Sequence, residues 1–452
     1  TARVGFNVCL RWGGGYEYDR LGPEGKSPAE VVRENPLLNL AQEHGMLVID
    51  RFRSYTGMSG YKAFRRLRIR KKGQPTDIFE QWFGMLESLV PHVKHHPAFF
   101  GVCPFDEPHD MFIGDKPYAE LSRDVAHAID RLDGYHPTFN NFNYPVPLET
   151  RWKEHQDLYS YYDYWQGPQK GGDVTSYRTE VCSARAEADH KPLFIMPQSG
   201  ELGGEPLLPE EQRANTYTML VGGARGLYYF TWPISHQATY DIMQTLAGEV
   251  KTLAPALTRR RPRQEIITEG VDRKDRFVDA ALLVTPGEEM IFLLANRSYS
   301  PVDVTYRFDW LEDEHALVRM FGPKTTLPIN DHVASEHLDL LEVRAYKIRG
   351  YRRTDPKQLY RVVIEEAHTG PERTRELIVN GGFEQDANWN LGGTNAEYDA
   401  SQAHSGDRSL RLERDKDDKM LVVHGKPIEP KRLEAKPWAR FCTEHAREME
   451  SR

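Results

Sequence analysis

Up to about residue 260 the chain alternates short apolar runs with amphipathic stretches. Runs at 5–10, 46–50, 99–103, 138–142, 158–162, 193–197 and 226–231 have strand length and composition. Between them, 36–44, 77–95, 118–132, 148–155, 177–189 and 210–222 carry helical, amphipathic patterning. Strands and helices alternating through short connections predict a parallel sheet covered by helices. Seven such units in about 260 residues suit an α/β fold of the (β/α)8 TIM-barrel type better than an open sheet. Gly13-Gly14-Gly15 is followed by Tyr16-Glu17-Tyr18 and no helix, so the phosphate-binding turn of a doubly wound dinucleotide fold is absent.

A closing helix over 240–257 runs into Arg259-Arg260-Arg261-Pro262-Arg263, read as a solvated helix end and linker, with contact to an anionic ligand as the alternative. Beyond it the period falls to two. Runs at 277–284, 290–296, 302–308 and 340–348, joined by turns such as Pro286-Gly287, predict a small antiparallel β-sandwich. The expected organisation is a barrel over 1–262, a sandwich over 263–350, a polar linker over 351–375 and a third unit over 376–452 with strands at 377–379 and 409–412. No internal repeat is present.

Composition narrows the function classes. With 39% hydrophobic residues in 452, the chain has the means to bury a sizeable core, which excludes global disorder. The net charge of -8, with both signs interspersed, argues against a dedicated nucleic-acid binder. Cys9, Cys103, Cys182 and Cys442 lie far apart and form no CxxC, so neither a disulfide scaffold nor a structural zinc knuckle is expected. No run of 18 apolar residues exists, so no membrane-spanning helix is expected. The chain opens on Thr1-Ala2-Arg3 and enters the apolar run 4–10 at once, without the charged region and cleavage site of a secretion signal.

In a barrel of this type the reacting side chains project from the C-terminal ends of the strands. The 99–103 strand runs into Pro104-Phe105-Asp106-Glu107-Pro108-His109-Asp110, and two adjacent acids at a strand end are costly to desolvate unless used or paired. An acidic turn with a helix N-cap is the alternative. The next strand ends in Asn140-Asn141-Phe142-Asn143-Tyr144, whose amides recognise hydroxyl groups or simply form turns. Then comes Tyr159-Ser160-Tyr161-Tyr162-Asp163-Tyr164-Trp165, with five aromatics in seven residues; Tyr162, Tyr164 and Trp165 are placed to floor a cleft and stack on sugar rings. Gln198 and Glu201 follow the 193–197 strand, and Trp232 and His236 follow the last. Arg11 and Trp12 end the first strand, and Arg51, Arg53 and Tyr55 end the second.

Carboxylates, amides and aromatics converging on one face fit carbohydrate chemistry, which needs an acid at the glycosidic oxygen and a nucleophile or base across the ring. Glu107 is the acid/base candidate. For the second carboxyl, Glu201, Asp106, Asp163 and Glu205 all remain open. No cofactor is expected: HExxH and metal-ligand spacings are absent, and so is the GxSxG of a serine hydrolase. The basic run Arg65-Arg66-Leu67-Arg68-Ile69-Arg70-Lys71-Lys72 is read as a solvated rim, with binding of a uronate or sulfated substrate as the alternative.

His96-Pro97-Ala98-Phe99-Phe100-Gly101-Val102 followed by Asp106-Glu107-Pro108 resembles the fourth-strand signature of glycoside-hydrolase-like TIM barrels of the broad retaining clan. Gly5-Phe6-Asn7-Val8 resembles that group's second strand, Glu43 to Ile49 its third, and Pro209-Glu210-Glu211-Gln212-Arg213 through Gly222 to Phe230 its seventh-helix to eighth-strand passage. At the other end, Leu377 to Glu384, Trp389 and Ala403 to Leu412 resemble the start of a jelly-roll carbohydrate-binding module.

The resemblance implies a secreted or periplasmic glycoside hydrolase with a carbohydrate substrate, no nucleic-acid or membrane partner, and an oligomeric state left open. It implies that Glu107 is the acid/base and that Asp106, where many relatives carry an asparagine, supports it. The nucleophile is expected after the seventh strand, where this chain has Gln198 with Glu201 three residues later. That departure keeps open a catalytically silent carbohydrate-binding protein, and the basic run 65–72 keeps open a lyase acting on uronates. Substrate contacts are expected from Arg11, Trp12, Arg51, Arg53, Tyr55, His109, Asn140, Asn141, Asn143, Tyr162, Asp163, Tyr164, Trp165, Gln198 and Trp232. Because the first strand matches the family's second, the chain is expected to begin after the first β/α unit.

Overall fold

The computed structural model describes residues 5, 7–10, 25–50, 77–105, 112–113, 116–142, 156–162, 175–199, 207–230, 237–271, 276–369, 396–399 and 409–412. Strands β1 (Val8–Leu10), β2 (Leu47–Asp50) and β3 (Phe99–Val102) pair in parallel in that order. A short antiparallel hairpin of β4 (Phe112–Ile113) and β5 (Lys116–Pro117) follows β3. Strands β6 (Tyr159–Tyr162), β7 (Leu193–Met196) and β8 (Gly226–Leu227) form a second parallel set. Residues 138–142 join the two sets through parallel bridges from Val102 to Thr138 and from Phe142 to Tyr161. Seven parallel segments therefore lie side by side in chain order. Among the described residues no pairing joins the last to the first.

Among the described residues seven helices accompany them: α1 (Pro28–Arg33), α2 (Pro36–Glu43), α3 (Asp77–Val93), α4 (Tyr118–Leu132), α5 (Thr175–Ala188), α6 (Pro209–Gly222) and α7 (Gln237–Leu257). Helix α1 does not emerge from periodicity, because six residues hold under two turns. It is set by its start: Ser27 and Glu30 form a capping box, with Pro28 in the first turn. Asn35 caps α2 by accepting from the N–H groups of Leu37 and Leu38. The expected helix over 148–155 lies outside the described residues.

Two apolar layers sit on opposite sides of the parallel strands. The outer one joins strand residues Val48, Phe99, Val102, Tyr161 and Ile195 to helix residues such as Leu38, Leu89 and Cys182. The inner one holds Ile49, Cys103, Phe139 and Leu158, with Val8, Phe100 and Phe194 against them. This alternation places Phe139, Leu158 and Phe194 inside the barrel and their chain neighbours against the helices.

Residues 263–368 form a two-sheet sandwich. Strands β9 (Arg263–Thr268), β10 (Val278–Val284), β11 (Glu289–Asn296), β12 (Val302–Phe308), β13 (Ala316–Arg319), β14 (Thr326–Pro328), β15 (Val333–Leu338), β16 (Val343–Arg352) and β17 (Leu359–His368) form sheets ordered β10-β11-β16-β13-β14 and β15-β12-β17-β9. Strand β17 falls within 351–375, the stretch expected to be a linker. Its Tyr360, Val362 and Ile364 are buried in the sandwich core, and it pairs antiparallel with β12 and parallel with β9. Polar residues at its alternate positions disguise it in the sequence. Strands β10 and β11 are apolar except at Asp279, Glu289 and Asn296, because both faces are covered. One faces the second sheet, and the other, with Leu283, Ile291 and Leu293, packs on Tyr217, Leu220 and Val221 of α6 and Leu246 and Leu253 of α7. Strands β18 (Ala396–Asp399) and β19 (Ser409–Leu412) form an antiparallel pair; the rest of the expected jelly-roll unit lies outside the described residues.

The arginine cluster is not a solvated linker. Arg261 donates to the carbonyls of Val221, at 2.6 Å, and Leu220, capping the C-terminal end of α6. Arg259 donates to the Thr285 carbonyl at 2.7 Å and to the Glu288 carboxylate at 2.9 Å. Arg225 in turn donates to the carbonyls of Leu257 and Arg259 at the end of α7. Burial, with Arg225 nearby, pulls the Arg261 pKa down to about 10. Only Arg260 of the three is exposed.

Candidate active site at the C-terminal ends of the parallel strands

Moving along the strands from the inner apolar layer, the barrel interior turns polar. Two residues beyond Phe139 comes Asn141, and two beyond Leu158 comes Ser160, both fully buried. Asn141 Oδ1 lies 3.0 Å from Ser160 Oγ and accepts from Tyr228 Oη at 2.7 Å. The two hydroxyls also contact each other. Tyr228 stands two residues beyond Gly226, which lies beside Phe194 in the parallel register. An apolar floor is thus capped by hydroxyl and amide groups on the side where a barrel of this kind does its chemistry.

The next positions on the same faces are the sequence-derived candidates Tyr162 and Gln198. Tyr162, half-buried, shares its strand face with Leu158 and Ser160. Gln198 is 4% exposed and shares the face of Phe194. The strand end that carries it is held by Ser199 N–H donating to the Phe230 carbonyl at 2.6 Å and Phe230 N–H donating to Pro197 at 2.9 Å. Asn141, Tyr162 and Gln198 are therefore brought to one interior face.

Asn140 is not. Its amide donates to Ser122 Oγ of α4 at 2.7 Å, and its N–H donates to Gln156 Oε1 at 2.5 Å. It faces the helical layer because consecutive strand residues point to opposite sides, so it supports the wall rather than meeting a substrate. The aromatic run divides in the same way. Tyr161 bonds Thr179 of α5 at 2.7 Å, and Tyr159 donates to Asp189 just beyond that helix. Burial and then the Asp189 hydrogen bond keep the Tyr159 phenol protonated well above its ordinary range.

Glu107, Glu201, Asp106, Arg11, Trp12, Arg51, Arg53, Tyr55, His109, Asn143, Asp163, Tyr164, Trp165 and Trp232 lie outside the described residues, as do Glu205, His236 and the basic run 65–72. The described part of the β3 segment ends at Phe105, which is 1% exposed and accepts a hydrogen bond from Asn141 N–H at 3.1 Å. The chain thus enters Asp106-Glu107 from a point tied to the same strand that carries Asn141.

Ser160 and Tyr228 are the inward polar groups that the sequence reading missed. Their signal was the alternation itself: once Tyr159 and Tyr161 are taken as helix-facing, Ser160 must face inward. Among the described residues no group of three or more His, Cys, Asp or Glu is placed to hold a metal ion, and no helix is long and apolar enough to cross a membrane.

No family model matches the chain, and no curated protein matches it in sequence. Solved structures do match. An alpha-amylase from Geobacillus thermoleovorans, solved in complex with acarbose, is similar at a TM-score of 0.50 and 10% identity, over 77% of this chain and 89% of the amylase. A family 39 glycoside hydrolase from the gut symbiont Bacteroides cellulosilyticus WH2 is similar at a TM-score of 0.50 and 13% identity, over 77% of this chain and 76% of its own. The fold is that of a glycoside-hydrolase-like TIM barrel. At such identities the shared property is the fold, and the chemistry is argued from the site.

Proposed function

We propose that the chain is a glycoside hydrolase acting on a polysaccharide or its oligosaccharides, with Glu107 as general acid/base and Asp106 supporting it. The observation that carries this reading is the polarity switch inside the barrel. An interior that is apolar at Phe100, Phe139, Leu158 and Phe194 becomes hydroxyl- and amide-lined at Asn141, Ser160 and Tyr228, on the side where the β3 segment leads into Asp106-Glu107. Further along the same faces the phenol of Tyr162 and the amide of Gln198 match the hydroxyls of a sugar, and two acids at the adjoining strand end supply the proton that a glycosidic oxygen needs. Glu201 is the second carboxylate. The setting is extracellular or periplasmic, and the 376–452 unit binds glycan; both rest on the resemblance.

The test is Glu107→Gln in the full chain, assayed on 4-nitrophenyl glycosides and on a panel of plant and microbial polysaccharides. Turnover is expected to fall about 10²–10⁴-fold, the contribution of a general acid. A variant as active as the parent would rule the assignment out.

The buried, inward-facing Gln198 favours one second reading. It stands on the strand where the resemblance expects a nucleophilic carboxylate, and a barrel without that group binds glycan and does not cut it. Glycan binding by calorimetry with no product release across the same panel would select this reading.

A further inference from the structure

Three buried side chains to which the proposed chemistry assigns no step form a polar triangle inside the barrel. Tyr228 Oη donates to Asn141 Oδ1 at 2.7 Å, Ser160 Oγ lies 3.0 Å from the same oxygen, and the two hydroxyls touch. Asn141 and Ser160 are 0% exposed and Tyr228 is 5% exposed. Both hydroxyls are placed to donate to the Asn141 amide oxygen.

The triangle also spans the barrel. In the strand order the segment 226–230 is separated from 138–142 by β6 and β7, so the phenol crosses the interior to reach the far wall. A phenylalanine ring would fill the same volume beside the apolar floor. What the hydroxyl adds is a fixed distance between two walls, in an interior where a polar group is costly unless fully satisfied.

We propose that Tyr228 is a positioning residue for the carbohydrate site. Its hydroxyl braces the last parallel segment against the fourth through Asn141, and so fixes the spacing between the strand that carries Asn141 and the segment whose Phe230 pairs with Gln198. This rests on the hydrolase reading above. Truncating the brace lets the walls relax by a fraction of an ångström, which a binding step tolerates better than a reaction step.

The experiment compares the full chain with Tyr228→Phe, Asn141→Leu and the double variant. The probes are 4-nitrophenyl glycosides of glucose, xylose, mannose, galactose and arabinose and the matching oligosaccharides, with thermal unfolding recorded alongside. Tyr228→Phe is expected to lower kcat by about 10–100-fold with KM moving less than about twofold. The double variant is expected to be no worse than the poorer single one, because the two groups act as a unit. If Asn141→Leu does not fold, Ser160→Ala takes its place in the cycle. An unchanged kcat in Tyr228→Phe, a fall in unfolding temperature alone, or losses that multiply independently would each overturn the positioning role. If the parent chain neither hydrolyses nor binds any probe, the hydrolase reading falls and this role falls with it. An active parent with an equally active Tyr228→Phe variant overturns only the positioning role.

Discussion

Arg276 and Asp279 form a buried ion pair: the guanidinium Nε lies 2.5 Å from the carboxylate, with side chains 2% and 0% exposed. Glu180 of α5 adds a contact to Arg276 at 2.9 Å, and Arg297 lies 3.7 Å from the other Asp279 oxygen while donating to the Arg276 carbonyl at 2.7 Å. Burial alone would lower the Arg276 pKa, but Asp279 and then Glu180 hold it above the ordinary arginine value. The network ties a barrel helix to strand β10 of the sandwich.

Removing one partner leaves charges stranded in the interior, so Asp279→Ala is expected to cost about 3–5 kcal/mol, the range for breaking a buried pair. Urea unfolding of parent and variant measures it. A loss below about 1 kcal/mol, the scale of an exposed pair, would show that water reaches the site. Replacing the whole network by apolar residues of similar volume is expected to be far milder than the single change.

His96 gives a pH dependence with a definite sign. Its Nδ1 accepts from Ala98 N–H at 3.2 Å, so the proton sits on Nε2, 3.2 Å from Asn39 Oδ1. Burial lowers its pKa below the ordinary 6.5, so the fold prefers the neutral ring. A base with a depressed folded pKa contributes stability that is present above its unfolded pKa and lost as pH falls through the folded one. Protonating Nδ1 would also remove the acceptor for Ala98. The stability difference between the parent and His96→Ala is therefore expected to shrink as pH is lowered from 7.5 toward 5 in parallel denaturant titrations. A difference that stays flat or grows on acidification would refute this account.

The seven parallel segments were legible because strands covered by helices on one side and filled by side chains on the other are apolar almost throughout, as in Phe99-Phe100-Gly101-Val102 and Leu193-Phe194-Ile195-Met196. Strands β15 and β17 were not, because one face of each is solvated and Ser335, His337, Arg361 and Glu365 dilute the pattern. Arg261 was misjudged because nothing local distinguishes a solvated arginine from one that caps a distant helix; its partners Leu220 and Val221 are about forty residues away. Of the candidates that the strand-end rule named, Asn141, Tyr162 and Gln198 share the interior face. The rule placed Asn140 with them only because run composition does not say which of two adjacent side chains faces inward, and that choice is made by pairing register.

Gly226 and Phe194 show register acting on the floor of the site. They are direct partners in the parallel pairing of β7 and β8, and a Cβ built on Gly226 would lie 2.7 Å from the Phe194 ring. That ring stacks on Phe100 from the opposite wall, with centroids 6.2 Å apart. A methyl group at 226 must therefore push Phe194 toward Phe100, in a layer already filled by Phe139 and Leu158. Gly226→Ala is expected to cost about 1–3 kcal/mol, the usual penalty for overpacking. Phe194→Leu should vacate the space, so the double variant is expected to be more stable than the sum of the two single losses predicts. Thermal or urea unfolding of the four proteins gives the coupling. A neutral Gly226→Ala, or strictly additive losses, would mean that the ring is not held between Gly226 and Phe100.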